Sequence, residues 1–350
     1  MAHKKAVENH VSLMQPTALA DQSWPADTVP AVSICCTAFN HEAFICETLE
    51  GFLMQKTTFP VEVLIHDDAS SDGTAAIIQE YAARFPNIIK PILQVENQHS
   101  KGVAIDPVHN YPRAAGRYVA VCEGDDCWID AAKLQRQFDL MEANPGVDIC
   151  FHPCKVLFWN TNRTEIQSVY SGSVAVVSLK DVILGDGGFM PTASLLMTRS
   201  SVTSMPAWIY LSEFLDFYIQ IYAALRGGAL YTPEVMSLYR SGVPGSWTAR
   251  MTDKSRYIRQ NYSIAMHLRL VEEDMPFSAR RHIRAMRRKY LLKLLDEDGC
   301  SALTKHSVQR ELKGCLRTAD VALQSLEHWR RRCRATLGRL ARFVLRRHVV

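Results

Sequence analysis

Acidic side chains are concentrated in two short polar stretches of the sequence. The first stretch is residues 66–73 (HDDASSDG) and the second is residues 123–126 (EGDD). Carboxylates that face one crevice repel each other unless a cation or a ligand rich in hydrogen-bond donors lies between them. Hard divalent ions take oxygen ligands and also hold phosphate groups. If the two stretches lie close together, this chemistry predicts a site for a divalent ion and a nucleoside diphosphate.

Acidic residues in loops also have a purely structural role. Asp and Ser side chains cap helices and close turns by accepting hydrogen bonds from nearby backbone N–H groups. We favour this interpretation for Asp72, which precedes Gly73 and Thr74. Capping alone explains the remaining acidic residues less well, because they are grouped in two places.

The elements that would position these stretches alternate between strands and helices. Short β-branched apolar runs predict strands, and apolar residues spaced three and four apart predict helices. The predicted strands are residues 32–37, 61–66, 88–93 and 117–122, and the predicted helices are residues 42–55, 74–84 and 131–142. This alternation predicts an α/β fold with a mostly parallel sheet flanked by helices. Both acidic stretches then lie at carboxyl ends of strands, where open α/β sheets bind ligands.

The composition and the missing motifs exclude several classes of protein. A chain of 350 residues with 47% hydrophobic and 22% charged residues is expected to fold rather than remain disordered. No apolar run approaches the roughly 18 residues of a membrane-spanning helix, so we expect a cytoplasmic protein. No GxGxxG sequence follows a predicted strand and no GxxxxGK[ST] sequence occurs, which counts against dinucleotide redox chemistry and ATP hydrolysis.

Four segments in a fixed order resemble the signatures of a known enzyme family. They are residues 37–40 (TAFN), 66–74 (HDDASSDGT), 116–118 (GRY) and 123–128 (EGDDCW). Together they resemble the family 2 glycosyltransferases of the GT-A fold, strongly over residues 31–150 and weakly over residues 185–247. The resemblance implies a GT-A-like sheet and a nucleotide-sugar donor.

The resemblance also implies roles for residues in the first two segments. In that family the first loop and the double-Asp strand end hold the base and ribose of the donor. By position, Thr37 and Phe39 are expected around the base. Either Asp67 or Asp68 is expected to read the edge of the base.

The acidic motif of the family holds the metal ion that bridges the donor diphosphate. The resemblance implies that Asp125 is the metal ligand, with Mn²⁺ or Mg²⁺ as the cofactor. Glu123 and Asp126 are expected to contact the nucleotide-sugar or the metal. Many members have Asp-x-Asp where this chain has Glu-Gly-Asp-Asp, so the division between metal and ribose contacts stays open.

A further carboxylate is expected on a predicted helix over residues 208–225. One face of this predicted helix contains Glu213, Asp216 and Gln220, because they are spaced three and four apart. That face is either solvent-exposed or a wall of the active site. A carboxylate in partly apolar surroundings has a raised pKa and suits a general base. Family 2 enzymes have their base near this point of the chain. Asp216 is therefore the candidate base, with Glu213 in reserve.

These residues predict an inverting glycosyltransferase. The expected reaction moves a hexose from a nucleoside diphosphate sugar, with UDP as the expected nucleotide, to a hydroxyl of a glycan or lipid-linked acceptor, in surface polysaccharide or lipid-linked glycan synthesis. One alternative is a nucleotidyltransferase, although it usually has a basic Gly-rich phosphate loop near the first strand. The other is a non-catalytic membrane-surface scaffold with the same fold.

Three regions are expected along the chain. Residues 1–29 lack periodicity and are predicted to be a flexible leader. Residues 30–250 are predicted to be the GT-A domain, with a nucleotide-sugar-binding half over 30–150 and an acceptor half over 151–250. Residues 251–350 are predicted to be a helical basic region.

The charge of the chain is distributed unevenly. From residue 275 to the end there are 19 Lys or Arg and 6 Asp or Glu, whereas residues 1–274 have an acidic excess. Basic helices are predicted at residues 280–293 and 330–347. They either lie on an anionic membrane surface or pack on the enzyme, and nucleic acid is the least favoured partner. The expected location is the cytoplasm, with peripheral attachment to the inner face of the cytoplasmic membrane.

Overall fold

The described residues form one large sheet of eight strands, one small sheet of four strands and a pair of two-residue strands. The computed structural model describes residues 12–212, 215–297 and 300–315. In these ranges the strands are β1 (Thr17–Ala18), β2 (Val32–Ala38), β3 (Lys56–Thr57), β4 (Val61–Asp67), β5 (Ile89–Leu93), β6 (Tyr118–Val121), β7 (Cys127–Trp128), β8 (Ile149–Phe151), β9 (Cys154–Phe158), β10 (Arg163–Gln167), β11 (Ala175–Val177), β12 (Leu196–Thr198), β13 (Ala229–Tyr231) and β14 (Ser237–Ser241).

Helices lie on both faces of the large sheet. Within the described ranges they are α1 (Ile45–Leu53), α2 (Thr74–Arg84), α3 (Lys133–Ala143), α4 (Leu179–Gly185), α5 (Arg199–Thr203), α6 (Leu215–Ala223), α7 (Trp247–Arg250), α8 (Lys254–Asp274), α9 (Phe277–Asp296) and α10 (Ala302–Cys315). The elements predicted between residues 32 and 143 are present, with ends that differ by a few residues.

The large sheet has eight strands in the order β11-β13-β8-β12-β6-β2-β4-β5. The four strands β6, β2, β4 and β5 run parallel, so their carboxyl ends meet at one edge. Strand β12 is antiparallel to both of its neighbours, and β11 is antiparallel to β13. The α/β fold is thus confirmed, but the sheet is mixed. Its second half lacks the regular strand-helix-strand crossovers that keep neighbouring strands parallel.

Two hydrophobic cores cover the opposite faces of this sheet. Along β2 and β4, alternate side chains enter different cores, because successive residues of a strand point to opposite faces. Cys35 and Leu64 lie in the core shared with α4, α6, α8 and α9, whereas Ile34 and Ile65 lie in the core shared with α1, α2 and α3. Burial on both faces explains why these strands are almost continuously apolar.

The small sheet lies beside the second acidic stretch. Its strand order is β10-β9-β14-β7, and β14 pairs in parallel with β9 and antiparallel with β7. Strand β7 begins at Cys127, directly after the acidic residues 123–126. The small sheet therefore anchors the end of that stretch.

Part of the predicted flexible leader is packed on the domain. Strand β1 pairs with β3, and Leu19 is buried in the core against α1. The backbone N–H of Leu13 also donates to the carbonyl of Thr58. The prediction was wrong for residues 12–29, because a two-residue strand and one buried leucine are too short to show periodicity. Residues 1–11 lie outside the described ranges.

The predicted continuous helix over residues 208–225 is interrupted. A 3₁₀ turn over Ala207–Leu211 ends at Ser212, whose backbone is extended with φ −90° and ψ 133°, and α6 is a separate helix. The apolar residues of both segments enter the same core from different directions, so their spacing imitates one helix. Asp216 and Gln220 both lie on α6 and are four residues apart, so this part of the predicted shared face is present, whereas Glu213 lies outside the described residues.

The C-terminal helices are part of the domain core. Leu268 of α8 and Ile283 and Leu291 of α9 are fully buried in the core that also includes Phe217 of α6. The basic segment 280–293 therefore packs on the domain through its apolar face. Residues 316–350, including the second predicted basic helix, lie outside the described ranges. No helix in the described part of the chain is long and apolar enough to cross a membrane.

Candidate functional site

The loops that follow β2 and β4 are joined by hydrogen bonds between their backbones and side chains. The N–H of Asn40 donates to Ser70 Oγ at 2.8 Å, and the N–H of Ser71 donates to Asn40 Oδ1 at 2.8 Å. Asn40 and Ala69 both have left-handed backbone conformations, with φ of 56° and 62°. Such conformations are costly for non-glycine residues and are held by their surroundings. The two strand ends thus form one rigid unit.

Asp72 has the structural role that its position indicated. Its carboxylate accepts hydrogen bonds from the Thr74 N–H at 3.0 Å and the Thr74 hydroxyl at 2.6 Å, and from the Glu42 N–H at 3.1 Å. These contacts begin α2 and fasten it to the loop after β2. Sequence reasoning thus distinguished this acid correctly from its neighbours.

Asp67 and Asp68 are both buried at the end of β4, and each holds a different loop. Asp67 accepts hydrogen bonds from the N–H and the hydroxyl of Ser70. Asp68 accepts the N–H groups of Gln98 and His99 at 2.7 and 3.0 Å. Each carboxylate can accept further hydrogen bonds, since its two oxygens offer about four lone-pair positions.

Thr37 and Phe39 lie at the neighbouring strand end. Thr37 is half-buried at the end of β2, and its carbonyl accepts the Gly124 N–H at 2.9 Å. The Phe39 ring is 44% exposed, so its face is available to a flat ligand. The expected nucleotide-binding residues are therefore all at the same sheet edge.

The second acidic stretch crosses this edge next to the loop after β2. A Cβ atom on Gly124 would lie 2.8 Å from His41 Nδ1, so only glycine lets the two loops approach this closely. The contact brings His41 Nε2 to 3.9 Å from the carboxylate of Asp125. Burial lowers the pKa of His41, although the Asp125 charge opposes this. Asp125 thus lies beside the loop after β2.

Arg240 of β14 holds the acidic stretch in place and was not predicted. Its guanidinium donates to the Asp125 carbonyl at 2.6 Å and pairs with Glu47, and it lies over the Phe44 ring with its carbon 5.1 Å from the ring centre. Its backbone N–H donates to the Asp126 carboxylate at 2.9 Å. Because the two segments are separated by more than 100 residues, no local pattern could have revealed this contact.

Asp126 is nearly inaccessible in this arrangement. It is 2% exposed, and burial together with the neighbouring Asp125 charge raises the pKa of its carboxyl well above the ordinary value. The Arg240 contacts oppose that shift. Asp125 itself is 7% exposed, and the side chain of Glu123 reaches solvent.

Asp216 lies on α6 and faces the same crevice. Its carboxylate accepts the Thr192 hydroxyl at 2.9 Å, and burial raises its pKa above the ordinary value. Asp216 lines a small pocket together with Glu123 and with Asp106, which sequence reasoning missed. Restricted solvation and the charges of Asp125 and Asp216 raise the pKa of Glu123.

Gln220 of α6 holds the loop that follows α4, in the half of the domain expected to bind the acceptor. Its amide donates to the carbonyls of Met190 at 3.0 Å and Gly187 at 3.3 Å. Gln220 therefore supports the segment that ends at Thr192, the hydrogen-bond partner of Asp216. The segment after β14 leads to Trp247, which begins α7 and is 42% exposed.

The residues of the acidic stretch suit a divalent ion in part. Within the described ranges, no three His, Cys, Asp or Glu side chains meet in a geometry that could hold a metal ion by themselves. Asp125 nevertheless offers an oxygen ligand, and the crowding of Glu123 and Asp126 beside it is relieved by a bound cation. An ion at Asp125 would therefore need oxygen atoms from a ligand, as a diphosphate supplies.

Comparisons with known proteins agree on one family. Residues 33–194 match the family model of glycosyl transferase family 2. The uncharacterized protein Rv1520 of Mycobacterium tuberculosis is 35% identical over 229 residues, which cover 65% of this chain and 63% of that relative. The glucosyltransferase WfaP of Escherichia coli, named for UDP-Glc and a GlcNAc-diphosphoundecaprenol, is 35% identical over 113 residues, or 32% of this chain and 41% of WfaP.

Solved structures show the fold. S. aureus TarS 1–349 in complex with UDP-GlcNAc has a TM-score of 0.57 at 15% identity, covering 76% of this chain and 72% of the other. The mannosyltransferase PcManGT from Pyrobaculum calidifontis, in complex with GDP-Man and Mn²⁺, has a TM-score of 0.50 at 15% identity and covers 88% and 87%. The resemblance drawn from the motifs is thereby confirmed: residues 33–194 form a family 2 glycosyltransferase domain of the GT-A fold.

Proposed function

We propose that this protein transfers a sugar from a nucleoside diphosphate sugar to an acceptor hydroxyl with inversion at the anomeric carbon. The observation that carries the proposal is the meeting of Asp125, Glu123 and Asp216 in one crevice beside the two strand-end loops. Asp125 suits the diphosphate end of the donor, and Asp216, which lies on a different element, α6, suits the acceptor hydroxyl.

The donor would bind across the strand-end loops. The exposed Phe39 ring and Thr37 would surround the base, and one carboxylate of the Asp67 and Asp68 pair would accept a hydrogen bond from its edge. UDP is the expected nucleotide, since TarS is described with UDP-GlcNAc and WfaP is named for UDP-Glc. Glu123, whose side chain reaches solvent, would lie next to the sugar or the ribose. Asp126 was expected there too, but it is 2% exposed and would instead support the motif through its hydrogen bond from the Arg240 N–H.

Asp125 would hold a divalent ion, for which the Mn²⁺ in the PcManGT complex gives a precedent. When bound, such an ion neutralises the charge that develops on the departing diphosphate. Asp216 would accept the proton of the attacking hydroxyl, and its raised pKa suits that role. Attack from the side opposite the leaving group inverts the anomeric carbon.

The acceptor is proposed to be a glycan or a lipid-linked glycan. WfaP is named for a lipid-diphosphate acceptor, and TuaG of Bacillus subtilis is named for teichuronic acid biosynthesis. A role in surface polysaccharide synthesis and peripheral attachment to the inner face of the cytoplasmic membrane would follow from such an acceptor. The basic C-terminal residues would contact the anionic lipid surface.

The test is donor binding with and without a metal ion. UDP- and GDP-sugars should raise the melting temperature more with Mn²⁺ than with EDTA, because ligands that bind only the native state stabilise it. Asp125→Asn should remove the metal-dependent part of this stabilisation and leave the melting temperature without ligand nearly unchanged. Full metal-dependent stabilisation in this variant would contradict the assignment of Asp125.

Assays of the released products, together with donor binding, separate the alternatives. Slow metal-dependent release of free sugar from the donor supports a transferase. Release of pyrophosphate from a nucleoside triphosphate and a sugar phosphate would instead identify a nucleotidyltransferase. A protein that neither binds nor cleaves any donor would be a scaffold.

A further inference from the structure

A small pocket opens from the crevice between the acidic stretch and α6. Its volume is about 40 Å³, and Glu123 and Asp216 form part of its wall. Asp106 lies on the same wall, in the π-helical turn Asp106–Asn110. The pocket therefore continues from the residues proposed to bind the diphosphate and to activate the acceptor.

The size of the pocket limits what it can hold. About 10 to 15 Å³ of such space is enough to hold one water molecule, so the pocket has room for a small polar substituent of a ligand. Val121, Leu195 and Ile219 provide apolar wall, while the three carboxyl groups provide hydrogen-bond acceptors. A hydroxymethyl group, with one carbon and one hydroxyl, has the matching combination of size and polarity.

Asp106 is fixed in the pocket independently of the other two carboxylates. Asn110 donates to its carboxylate at 2.7 Å and also reaches the Cys36 carbonyl, which ties the turn to β2. Asp106 is partly buried and belongs to none of the four motif segments, and among the described residues its carboxylate accepts a side-chain hydrogen bond from Asn110 alone, through Oδ1. It is therefore available to a ligand.

We propose that this pocket receives the hydroxymethyl group of an uncharged donor sugar and that Asp106 is the specificity-determining residue that rejects uronic acid donors. The inference rests on the proposed function and narrows its substrate class. A uronic acid replaces the hydroxymethyl group by a carboxylate, which cannot donate a hydrogen bond to Asp106. It would also bring a further negative charge against three carboxyl groups at short range, where the repulsion is strong.

The experiment compares three donors that differ only at this substituent. Dissociation constants of UDP-glucose, UDP-xylose and UDP-glucuronate are measured by calorimetry with Mn²⁺, with UDP alone as the reference. UDP-glucose should bind most tightly, UDP-xylose less tightly because it lacks the hydroxymethyl group, and UDP-glucuronate at least about tenfold more weakly than UDP-glucose. GDP-mannose and GDP-mannuronate replace this set if GDP rather than UDP binds.

Asp106→Asn removes the charge and keeps a similar size. In this variant the preference for UDP-glucose over UDP-glucuronate should fall at least about threefold, while the affinity for UDP stays the same. Asp139→Asn, on the exposed face of α3, is the matched control and should leave the preference unchanged.

Two results would overturn the inference while leaving the proposed function intact. The first is equal affinity of the wild-type protein for the neutral and the acidic donor. The second is an unchanged preference in Asp106→Asn, which would assign the discrimination to another residue. If neither UDP nor GDP binds at all, the proposed function itself is wrong and the inference falls with it.

Discussion

At the scale of single residues, the crevice contains several carboxyl groups whose ionisation destabilises the folded protein. Burial, and then the charge of Asp216, raise the pKa of Asp106 to about 6, while its hydrogen bond from Asn110 opposes the shift. Glu123 and Asp126 have raised pKa values for related reasons. Carboxylates that are retained despite such a cost are typical of functional sites.

Asp106→Asn is therefore expected to stabilise the protein at neutral pH. The native-state pKa of Asp106 lies above its unfolded value of 3.8, so its ionisation destabilises the fold as pH rises from about 4 to 6. Urea unfolding should show a gain on the order of 1 to 2 kcal/mol at pH 7.5 and almost none at pH 3.5. Asp139→Asn should show no gain, and a loss of stability in Asp106→Asn at pH 7.5 would contradict the argument.

Asp216→Asn tests the proposed general base. The variant should keep its affinity for UDP, because asparagine can still accept the Thr192 hydrogen bond and the wall of the crevice keeps its shape. Its kcat should fall by roughly two to four orders of magnitude. The wild-type rate should decline as pH falls through the raised pKa of Asp216, since the protonated carboxyl cannot accept a proton, and this decline should be absent in the variant.

The reserve candidate provides the comparison. Glu213→Gln is expected to lower kcat much less than Asp216→Asn. The reverse result would move the base to Glu213. Normal rates in both variants would mean that the catalytic carboxylate lies elsewhere in the crevice.

At the scale of elements, the small sheet fixes the acidic stretch through one strand. Arg240 of β14 is 4% exposed and contacts the Asp125 carbonyl, the Asp126 carboxylate and Glu47. Its aliphatic stem and guanidinium also cover the Phe44 ring. The position of Asp125 therefore depends on a residue that lies more than 100 positions later in the chain.

Arg240→Met should weaken both the fold and donor binding. The substitution leaves the buried Asp125 carbonyl without its hydrogen-bond partner, which costs about 1 to 3 kcal/mol of unfolding free energy. The metal-dependent affinity for the nucleotide-sugar should fall at least about tenfold. Arg240→Lys should recover part of the stability, but a lysine cannot contact the Asp125 carbonyl and Glu47 at the same time, as the guanidinium does. Arg163→Met, which breaks an exposed ion pair with Glu165, should change the unfolding free energy by less than about 1 kcal/mol. Unchanged donor binding in Arg240→Met would argue against this anchoring role.

At the scale of the whole molecule, the C-terminal helices and the acceptor side form one body. Tyr290 and Lys289 of α9 hold Asp186, which has a left-handed backbone with φ 71° and begins the loop that leads to Thr192. Leu268 and Ile283 complete the core beneath α6. The described helices of the predicted basic C-terminal region therefore support the segment that contacts the proposed base.

The final residues are expected to act differently from α8 and α9. Deleting residues 329–350, which lie outside the described ranges, should leave catalysis on a simple soluble acceptor intact and reduce sedimentation with anionic vesicles. Each basic side chain near such a surface adds on the order of 1 kcal/mol. Neutral vesicles are the control. Unfolding of the truncated protein would instead show that the tail packs on the domain.

The sequence by itself determined the parallel half of the sheet and the order of its motifs. Strands β2, β4 and β6 and helices α1 to α3 follow from apolar runs and helical spacing, which are local properties. The acidic stretches were predictable for the same reason, because each directly follows its strand. Asp72 was assigned correctly because a capping side chain acts within two residues of its own position.

The tertiary structure alone decided the features that depend on distant segments. Four features result from pairing or packing between parts of the chain that are far apart in sequence. They are the direction of β12, the break at Ser212, the contacts of Arg240 and the position of Asp106 beside Asp216. Local patterns contain no information on such contacts, since the free energy that selects them arises only when the core is assembled. The residues that could bind a diphosphate could thus be predicted from the sequence, but the pocket beside them could not.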